Sequence, residues 1–245
     1  KTENQLRTHY ESCRDRAAEQ LIKHPFWIDL MSVIQDWDAL YKMETGAESL
    51  YKGAFSEQSK LNKKQWDSVY QKAYRKNVLN NVNWPNEPES GWVTADSWFR
   101  HLGDILRTQF ICRYIDGVKF IADKLEFLAK KHNLVVANKM QATNEGYYAG
   151  HVDISFEFNI MDMGFNPVPI VGRVEFQVTT QLKEVVKQLL HIHYESKRIE
   201  KTHNDESVWQ WDYKKPSFEA NYLGHVMHYL EAQILKLRDQ HHVSR

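Results

Sequence analysis

Two carboxylates occupy positions at which a folded sheet could bring them together. Asp104 directly precedes the first predicted strand, and Glu175 lies within the last one, facing away from the apolar residues on either side of it. Mg²⁺ prefers a few carboxylate oxygens together with the phosphates of its substrate, and it neutralises the charge that builds up in phosphoryl transfer. The pair therefore indicates a polar cleft suited to this metal, although each carboxylate alone is more often a solvated charge.

Residues 146–151 offer a second chemical feature. Their sequence, GYYAGH, places two aromatic side chains and two flexible glycines directly before a strand. Tyr147 could stack on a nucleobase while the glycines let a backbone approach it. The alternative is an ordinary glycine-containing turn with packed tyrosines.

Helices are predicted for the first part of the chain. Apolar residues recur at helical spacing from Leu6 to Leu21 and again after Pro25, a residue that suits the first turn of a helix. A third helix is expected over roughly Lys60 to Arg75. The stretch from Asn80 to Gly91 is rich in Asn, Pro, Glu and Gly, which is typical of a connection between two parts of a fold.

The middle of the chain predicts a sheet. An apolar and β-branched run near residue 110 is followed by a helix from Gly117 to about Lys131. Further strands are expected over residues 134–137, 151–159 and 168–179. The fold class is therefore α+β, a mixed central β-sheet flanked by helices. We expect a helical N-terminal extension, residues 1–90, packed on a core, residues 91–245, that ends in a C-terminal helix.

The last helix carries an apolar stripe. Its members recur at steps of three and four residues and are Leu223, Met227, Leu230, Ile234 and Leu237. Burial in the core is the main interpretation of such a stripe. Contact with a second copy of the chain, as a homo-oligomer, or with a protein partner is the alternative.

The bulk composition narrows the class of protein. Lys plus Arg equals Asp plus Glu at 32 each, so the net charge gives no sign of unspecific nucleic-acid binding, although a local basic pocket stays open. The two cysteines, Cys13 and Cys112, lie far apart, which argues against a disulfide scaffold and favours a reducing, cytoplasmic compartment. No apolar run approaches the ~20 residues of a membrane-spanning helix, and the opening residues are too polar for a secretory signal.

Four linked motifs resemble those of the RelA/SpoT alarmone synthetases over roughly residues 100 to 195. That family has an Asp-x-x-Gly-x-Arg strand, a Gly-Tyr-x-Ser-x-His turn, a Val-Glu-Ile-Gln-Ile-Arg-Thr strand and a His one helix length later. The corresponding segments here are residues 104–109 (DILRTQ), residues 146–151 (GYYAGH), residues 174–180 (VEFQVTT) and His191.

The resemblance implies a role for each matching residue. Asp104 and Glu175 would hold Mg²⁺, and Glu175 would also help to activate the 3′-hydroxyl of the acceptor. Tyr147 would stack on the acceptor base. A position for His191 in the core or on the surface of its helix stays equally open. The residues that would line the acceptor and phosphate pocket are Gln177, His151 and His191.

The departures from the family pattern remove positive charge. The Gly and Arg of the first strand become Arg107 and Gln109, and the turn Ser becomes Ala149. The upstream Arg-x-Lys and Ser-x-x-Lys elements that grip ATP in the family have no clear counterpart. Arg100 and Arg107 are the preferred pair for the ATP phosphates, because Arg offers bidentate geometry. The other available cations are Arg113, Lys139 and Arg173.

The resemblance predicts a Mg²⁺-dependent pyrophosphokinase that transfers the β,γ-pyrophosphate of ATP to the 3′-hydroxyl of a nucleotide. GDP or GTP is the default acceptor, and a (p)ppGpp-type alarmone is the product. The sequence has no His-Asp dipeptide, which predicts no hydrolase activity. One alternative is a toxic relative, with an antitoxin as partner, that acts on the 3′ end of tRNA or on adenine nucleotides. Another is a non-catalytic relative that binds a nucleotide or a protein, since fold alone does not fix function.

Overall fold

The structure, a computed structural model, describes residues 2–53, 60–188 and 209–243. The strands are β1 (Asn62–Lys63), β2 (Leu106–Cys112), β3 (Val136–Ala142), β4 (Tyr148–Met161) and β5 (Pro167–Thr180). The α-helices are α1 (Glu3–Lys23), α2 (Pro25–Thr45), α3 (Trp66–Tyr74), α4 (Trp98–His101), α5 (Ile115–Lys131), α6, described over residues 181–188, and α7 (Pro216–Val243). Within these ranges, no helix combines the length and the apolar character needed to cross a bilayer.

The strands form one mixed sheet in the order β1-β2-β5-β4-β3. β2 pairs with β5 in parallel, whereas every other pair of neighbours is antiparallel. Because β5 lies between β2 and β4, it joins β2 to the β3–β4 hairpin. The predicted α+β fold with a mixed central sheet flanked by helices is confirmed.

The two faces of the sheet differ in polarity because side chains alternate along each strand. Along β2 the even-numbered residues are buried, and the odd-numbered ones are only partly buried. α1 and α5 pack against the buried face. That face continues across β5 and β4 with the fully buried side chains of Val174, Phe176, Val178, Val152 and Ile154.

The N-terminal helices share this core with the sheet. Pro25 opens α2, and the ring Nδ1 of His24 accepts a hydrogen bond from the amide of Phe26, which fixes the turn between α1 and α2. The ring of Phe26 is fully buried and packs edge-on against Phe156 and Phe176, with centroids 5.6 and 5.8 Å apart. Aromatic pairs of this geometry stabilise a core beyond their buried area.

The segment expected to open the third helix forms a strand instead. β1 pairs antiparallel with β2, so α3 begins at Trp66 rather than near Lys60. The amide of Lys64 extends this pairing by donating to the carbonyl oxygen of Ile105. Backbone hydrogen bonds at the open edge of β2 have therefore overridden the local helical pattern. The domain boundary near residue 90 stays a prediction, and residues 1–90 contribute both a strand and core helices.

The apolar stripe of α7 is more exposed than the sequence suggests. Leu223, Leu230 and Ile234 keep 38, 42 and 43% of their accessible surface. The helix packs on the protein through a different face, which includes the buried residues Ala220 and Glu231. Burial of the whole stripe in the core is therefore a wrong expectation for the described residues.

α7 packs closely on the turn before β4 because a glycine lies on each side of the contact, Gly146 in the turn and Gly224 in the helix. Gly146 has a φ of 76°, a left-handed conformation that favours glycine. A Cβ atom added to Gly146 would lie 2.5 Å from the carbonyl oxygen of Asn221, and one added to Gly224 would lie 2.5 Å from the carbonyl oxygen of Gly146. Both obstacles are backbone atoms. The turn that carries Tyr147 is thus held directly against the helix.

Replacing Gly224 by Ala should destabilise the protein, although Ala normally favours a helix over Gly. The added methyl group collides with the backbone of Gly146, and overpacking of this kind costs about 1–3 kcal/mol. Urea denaturation measures the change in the free energy of unfolding. Lys236→Ala, an exposed change on the same helix, is the control and should leave it nearly unchanged. A stabilised Gly224→Ala variant would contradict the close packing.

Candidate functional site

The polar face of the sheet collects most of the residues singled out by their chemistry. Glu175 in β5 lies directly between Arg107 of β2 and Asp153 of β4. The next pair along the same face brings Gln177 beside His151. Directly opposed residues on neighbouring strands point to the same side of a sheet. Three strands that are distant in sequence therefore present one continuous polar surface.

A chain of hydrogen bonds runs across the middle of this face. The Oε1 atom of Glu175 lies 2.9 Å from the Nδ1 atom of His151. The Nε2 atom of the same ring lies 3.0 Å from the hydroxyl of Tyr147, to which the side-chain amide of Gln177 also donates. The carboxylate thereby orients the imidazole, and the imidazole orients the phenol. Four predicted site residues are brought into direct contact.

Burial and charge tune two groups beside this chain. Burial raises the pKa of Tyr147 to about 12, and the negative charge of Glu175 adds to the rise. Tyr147 is therefore a neutral phenol near pH 7. Burial, followed by the charge of Glu175, also raises the pKa of Asp153 above its ordinary value. Asp153 is a site residue that alternation alone could have indicated, because it shares its face with Glu175.

Asp104 lies at the start of β2 in a cluster of cations. Its Oδ2 atom is 2.8 Å from the Nζ atom of Lys64, and its Oδ1 atom is 2.7 Å from that of Lys72. Burial alone would raise the pKa of this carboxyl, but the hydrogen bonds from the two lysines outweigh burial and lower the pKa to about 2. Asp104 is therefore ionised at any pH near neutrality, and both of its oxygens are engaged.

The two lysines come from elements upstream of the sheet. Lys64 follows β1, and its carbonyl oxygen accepts hydrogen bonds from the hydroxyl of Tyr10 and the guanidinium of Arg14. Lys72 lies on α3, which is anchored by the buried side chain of Trp66. Neither lysine is among the site residues predicted from the sequence. The signal for them in the sequence is position alone, since both precede β2.

More cations lie beside this cluster. Lys76 donates to the carbonyl oxygen of His101. Burial and then the positive charges of Lys72 and Arg173 lower the pKa of Lys76. The guanidinium of Arg173 packs against Gly103, where a Cβ atom would meet its Nε atom at 3.2 Å. The positive charges of Lys72 and Arg173 act on Lys76, so several cations share this region, which is suited to an anionic ligand.

A cavity of about 430 Å³ opens at the same end of the polar face. Arg100 and Arg173 both line it, together with Ser155 and Glu157. The predicted phosphate cation Arg100 is thus placed with Arg173, whereas Arg107 lies further along the face, beside Glu175.

Of the remaining predicted cations, Lys139 lies on the polar face near His151, whereas Arg113 lies away from it. Lys139 of β3 is the cross-strand neighbour of His151 and is exposed at the edge of the sheet. Arg113 forms an ion pair with Glu48 at 2.8 Å, beyond the far end of β2. His191 lies outside the described residues.

Gln109, an uncharged residue, stands where the resembled family has an arginine. The amide of Gln109 donates to Glu184 of α6 at 2.7 Å. The charge of Glu184 also acts on the hydroxyl of Tyr147. Gln109 and Glu184 therefore add an amide and a carboxylate at the aromatic end of the polar face, the end around Tyr147. The cationic end is the opposite one, around Asp104.

Carboxylates beside an anion-binding surface have the chemistry that Mg²⁺ requires. In the described residues, however, no group of three or more His, Cys, Asp or Glu side chains is arranged to hold a metal ion. Both oxygens of Asp104 are taken by ammonium groups, and one oxygen of Glu175 is taken by His151. The donor set fits the ion in type, but binding requires the lysines to move away from Asp104.

Replacing Asp104 by Asn should cost about 2 kcal/mol of unfolding free energy at pH 7, because one pKa unit corresponds to about 1.4 kcal/mol. The folded-state pKa of about 2 lies below the ordinary value of 3.8. The stabilisation is therefore present above pH 4 and is lost as the pH falls towards 2. Denaturation of both proteins over this range measures the difference, which should shrink with acid.

Asp123→Asn is the matched control for this experiment. Asp123 also pairs with a lysine, Lys119, but both side chains are more than half exposed. Exposed pairs contribute little to stability. A loss for Asp104→Asn that is no larger than the control, or that persists unchanged at low pH, would contradict the assignment.

Comparisons with known proteins support the fold. No protein-family model and no curated protein matches the sequence. The fold is similar to that of small alarmone synthetase 1 from Bacillus subtilis, with a TM-score of 0.55 and 14% identity, covering 91% of this chain and 96% of that chain. Small alarmone synthetase 2 from Bacillus subtilis has a TM-score of 0.52 and 17% identity, and the match covers 91% of this chain and 98% of that chain. A GTP pyrophosphokinase family protein from Streptococcus pneumoniae has a TM-score of 0.55 and 15% identity, and the match covers 91% of this chain and 93% of that chain. The chain therefore has the fold of the small alarmone synthetases.

Proposed function

We propose that the protein is a pyrophosphokinase that transfers the β,γ-pyrophosphate of ATP to the 3′-hydroxyl of a nucleotide, with GDP or GTP as acceptor. The observation that carries this proposal is the hydrogen-bonded set of Glu175, His151 and Tyr147 beside a cluster of cations. The fold supports it, since similar structures are small alarmone synthetases, one of them bound to its product pppGpp.

The donor phosphates belong at the cationic end of the polar face. Lys64, Lys72 and Lys76 surround Asp104 there, and Arg173 lies beside them. A triphosphate bound there would place its negative charges beside these cations. Arg100, which lines the adjoining cavity, would extend this surface.

The acceptor belongs at the aromatic end. Tyr147 offers the face of its ring to a base, as aromatic side chains do in other nucleotide sites. Its hydroxyl is occupied by His151 and Gln177, so the ring is held in a fixed orientation. A base stacked there would place its ribose near Glu175, which lies between the two ends.

The reaction follows from this placement. The 3′-hydroxyl oxygen of the acceptor attacks the β-phosphorus of ATP, and the bond from that phosphorus to the bridging oxygen of the α-phosphate breaks. AMP leaves with the bridging oxygen. Glu175 takes the hydroxyl proton, with His151 fixing the orientation of its carboxylate. The lysines stabilise the negative charge on the transferred group.

Mg²⁺ is part of this proposal, with Asp104 and Glu175 as the residues that would hold it. When bound, it would neutralise negative charge on the phosphates. The resemblance of the motifs and the carboxylate chemistry of the two residues support this role.

The acceptor can also differ from GDP or GTP. Gln109, paired with Glu184, stands where the resembled family has an arginine, so the acceptor end has lost a cation. One alternative acceptor is therefore an adenine nucleotide or the 3′ end of tRNA, as in a toxic relative. A second alternative is a non-catalytic relative that only binds nucleotide. An antitoxin and a homo-oligomer stay predictions.

Incubation with γ-labelled ATP, Mg²⁺ and a panel of acceptors tests the function. The panel contains GDP, GTP, ADP, AMP and deacylated tRNA. Label should appear in a guanine nucleotide with release of AMP, and Glu175→Gln should reduce the rate by about 100-fold or more, because the general base is lost.

Glu126→Gln is the matched control, since Glu126 lies on α5 and pairs with Lys130, away from the polar face. It should retain full activity. Label in tRNA or an adenine nucleotide instead would change the acceptor, and nucleotide binding without AMP release would identify a binding protein.

Two substitutions of Tyr147 separate stacking from hydrogen bonding. Tyr147→Ala removes the ring, and the KM for the acceptor should rise by about tenfold or more because stacking on a base is lost. Tyr147→Phe keeps the ring but frees His151 and Gln177, so kcat should fall with little change in the acceptor KM. Steady-state kinetics measures both constants, and an unchanged acceptor KM in Tyr147→Ala would remove this residue from the base site.

A further inference from the structure

The carboxylate of Asp104 is fully engaged by lysines before any substrate binds. Each of its oxygens has its own ammonium partner, Lys64 on one and Lys72 on the other, at 2.8 and 2.7 Å. The three side chains are only 19–29% exposed. Pairs that are partly removed from water are screened less than surface pairs. The arrangement is therefore a closed ionic cluster rather than two loose surface contacts.

The backbones that carry the lysines are anchored by contacts with other elements. The backbone amide of Lys64 donates a hydrogen bond to the carbonyl oxygen of Ile105, and its own carbonyl oxygen accepts one from the hydroxyl of Tyr10. Lys72 projects from α3, whose residue Trp66 packs against Tyr10 with ring centroids 5.9 Å apart. The ammonium groups can swing away from Asp104, but they stay within reach of any ligand in this corner of the site.

A divalent cation alone meets two obstacles at Asp104. It would have to displace an ammonium group from each oxygen, and it would then be repelled by Lys64 and Lys72, with Lys76 and Arg173 close behind. The displaced lysines would gain no new partner. Like charges at short range in a partly buried site oppose binding strongly.

A polyphosphate removes both obstacles. Its oxygens are better partners for the ammonium groups than one shared carboxylate, because several charged acceptors become available at once. Once the lysines turn to the phosphates, the oxygens of Asp104 are free, and the phosphates themselves supply further oxygen ligands for a metal.

We infer that Lys64 and Lys72 form a latch that keeps a divalent cation away from Asp104 until a polyphosphate is bound. The protein without nucleotide therefore does not hold the metal in advance, and the metal enters together with the donor phosphates. The inference rests on the proposed function for the identity of the polyphosphate as ATP, but the latch itself concerns only the three side chains.

Mn²⁺, which shares the preference of Mg²⁺ for carboxylate oxygen, is the probe for the closed latch. The full chain is titrated with Mn²⁺ alone, and the electron paramagnetic resonance signal of the free ion reports binding. The double variant Lys64→Met/Lys72→Met should bind Mn²⁺ about tenfold or more tightly than the wild-type chain, because Asp104 is released. Adding Asp104→Asn to the double variant should abolish the gain.

Inorganic tripolyphosphate in EDTA is the probe for the opening of the latch. Calorimetry should detect its binding to the wild-type chain without any metal, and the double variant should bind it about tenfold or more weakly. Lys119→Met is the matched control in both titrations, since Lys119 also pairs with an aspartate but lies on the exposed surface of α5. It should change neither affinity.

Thermal unfolding of each variant shows whether it folds. If the double variant does not, Lys64→Met and Lys72→Met are used singly, because each frees one oxygen of Asp104 and should give part of the gain. Binding of Mn²⁺ to the wild-type chain as tightly as to the variants, or a gain that survives Asp104→Asn, would overturn the latch.

The failure of the latch and the failure of the proposed function are distinguishable. A latch that passes both titrations while no acceptor becomes labelled would leave a metal- and polyphosphate-binding site on a protein that is not a pyrophosphokinase. Labelled acceptor together with tight binding of Mn²⁺ to the wild-type chain would leave the enzyme and remove the latch.

Discussion

The parallel pairing of β2 with β5 is the constraint on which the rest of the structure depends. It inserts the last strand between β2 and the β3–β4 hairpin, and its register places Arg107 opposite Glu175. A slip of one residue would turn Glu175 into the core and Phe176 out of it, which the buried aromatic contacts with α2 prevent. The hydrophobic packing of one face therefore fixes the chemistry of the other.

The polar face gains its organisation from elements that reach it at different points. β4 supplies His151 to the middle of the face, and the turn before it, held by α7, supplies Tyr147. β1 and α3 supply the lysines at the opposite end. Each group is held by a partner from another element, as a preorganised site requires. The core helices and the sheet thus act together as one support.

Alternation along the strands made β4, β5 and the outward position of Glu175 predictable, because a half-buried strand repeats every two residues. β1 has no such signal, since it consists of two polar residues that form a strand because they pair with the edge of β2. Lys64 and Lys72 were missed for the same reason: their partner Asp104 is distant in sequence, and a lysine without its partner looks like a solvated charge. Both β1 and the role of the two lysines therefore depend on contacts between residues that are distant in sequence.

The two ends of the polar face differ in charge, and in the proposed function this difference separates the donor from the acceptor. Gln109 carries no charge and is held by Glu184, so it brings no positive charge to the aromatic end. Lys64, Lys72 and Lys76 are gathered near Asp104, at the cationic end. In the proposed reaction this asymmetry orients the ligands, because the triphosphate is drawn to one end and the uncharged base of the acceptor to the other. Glu175 then lies at the point where the two must meet.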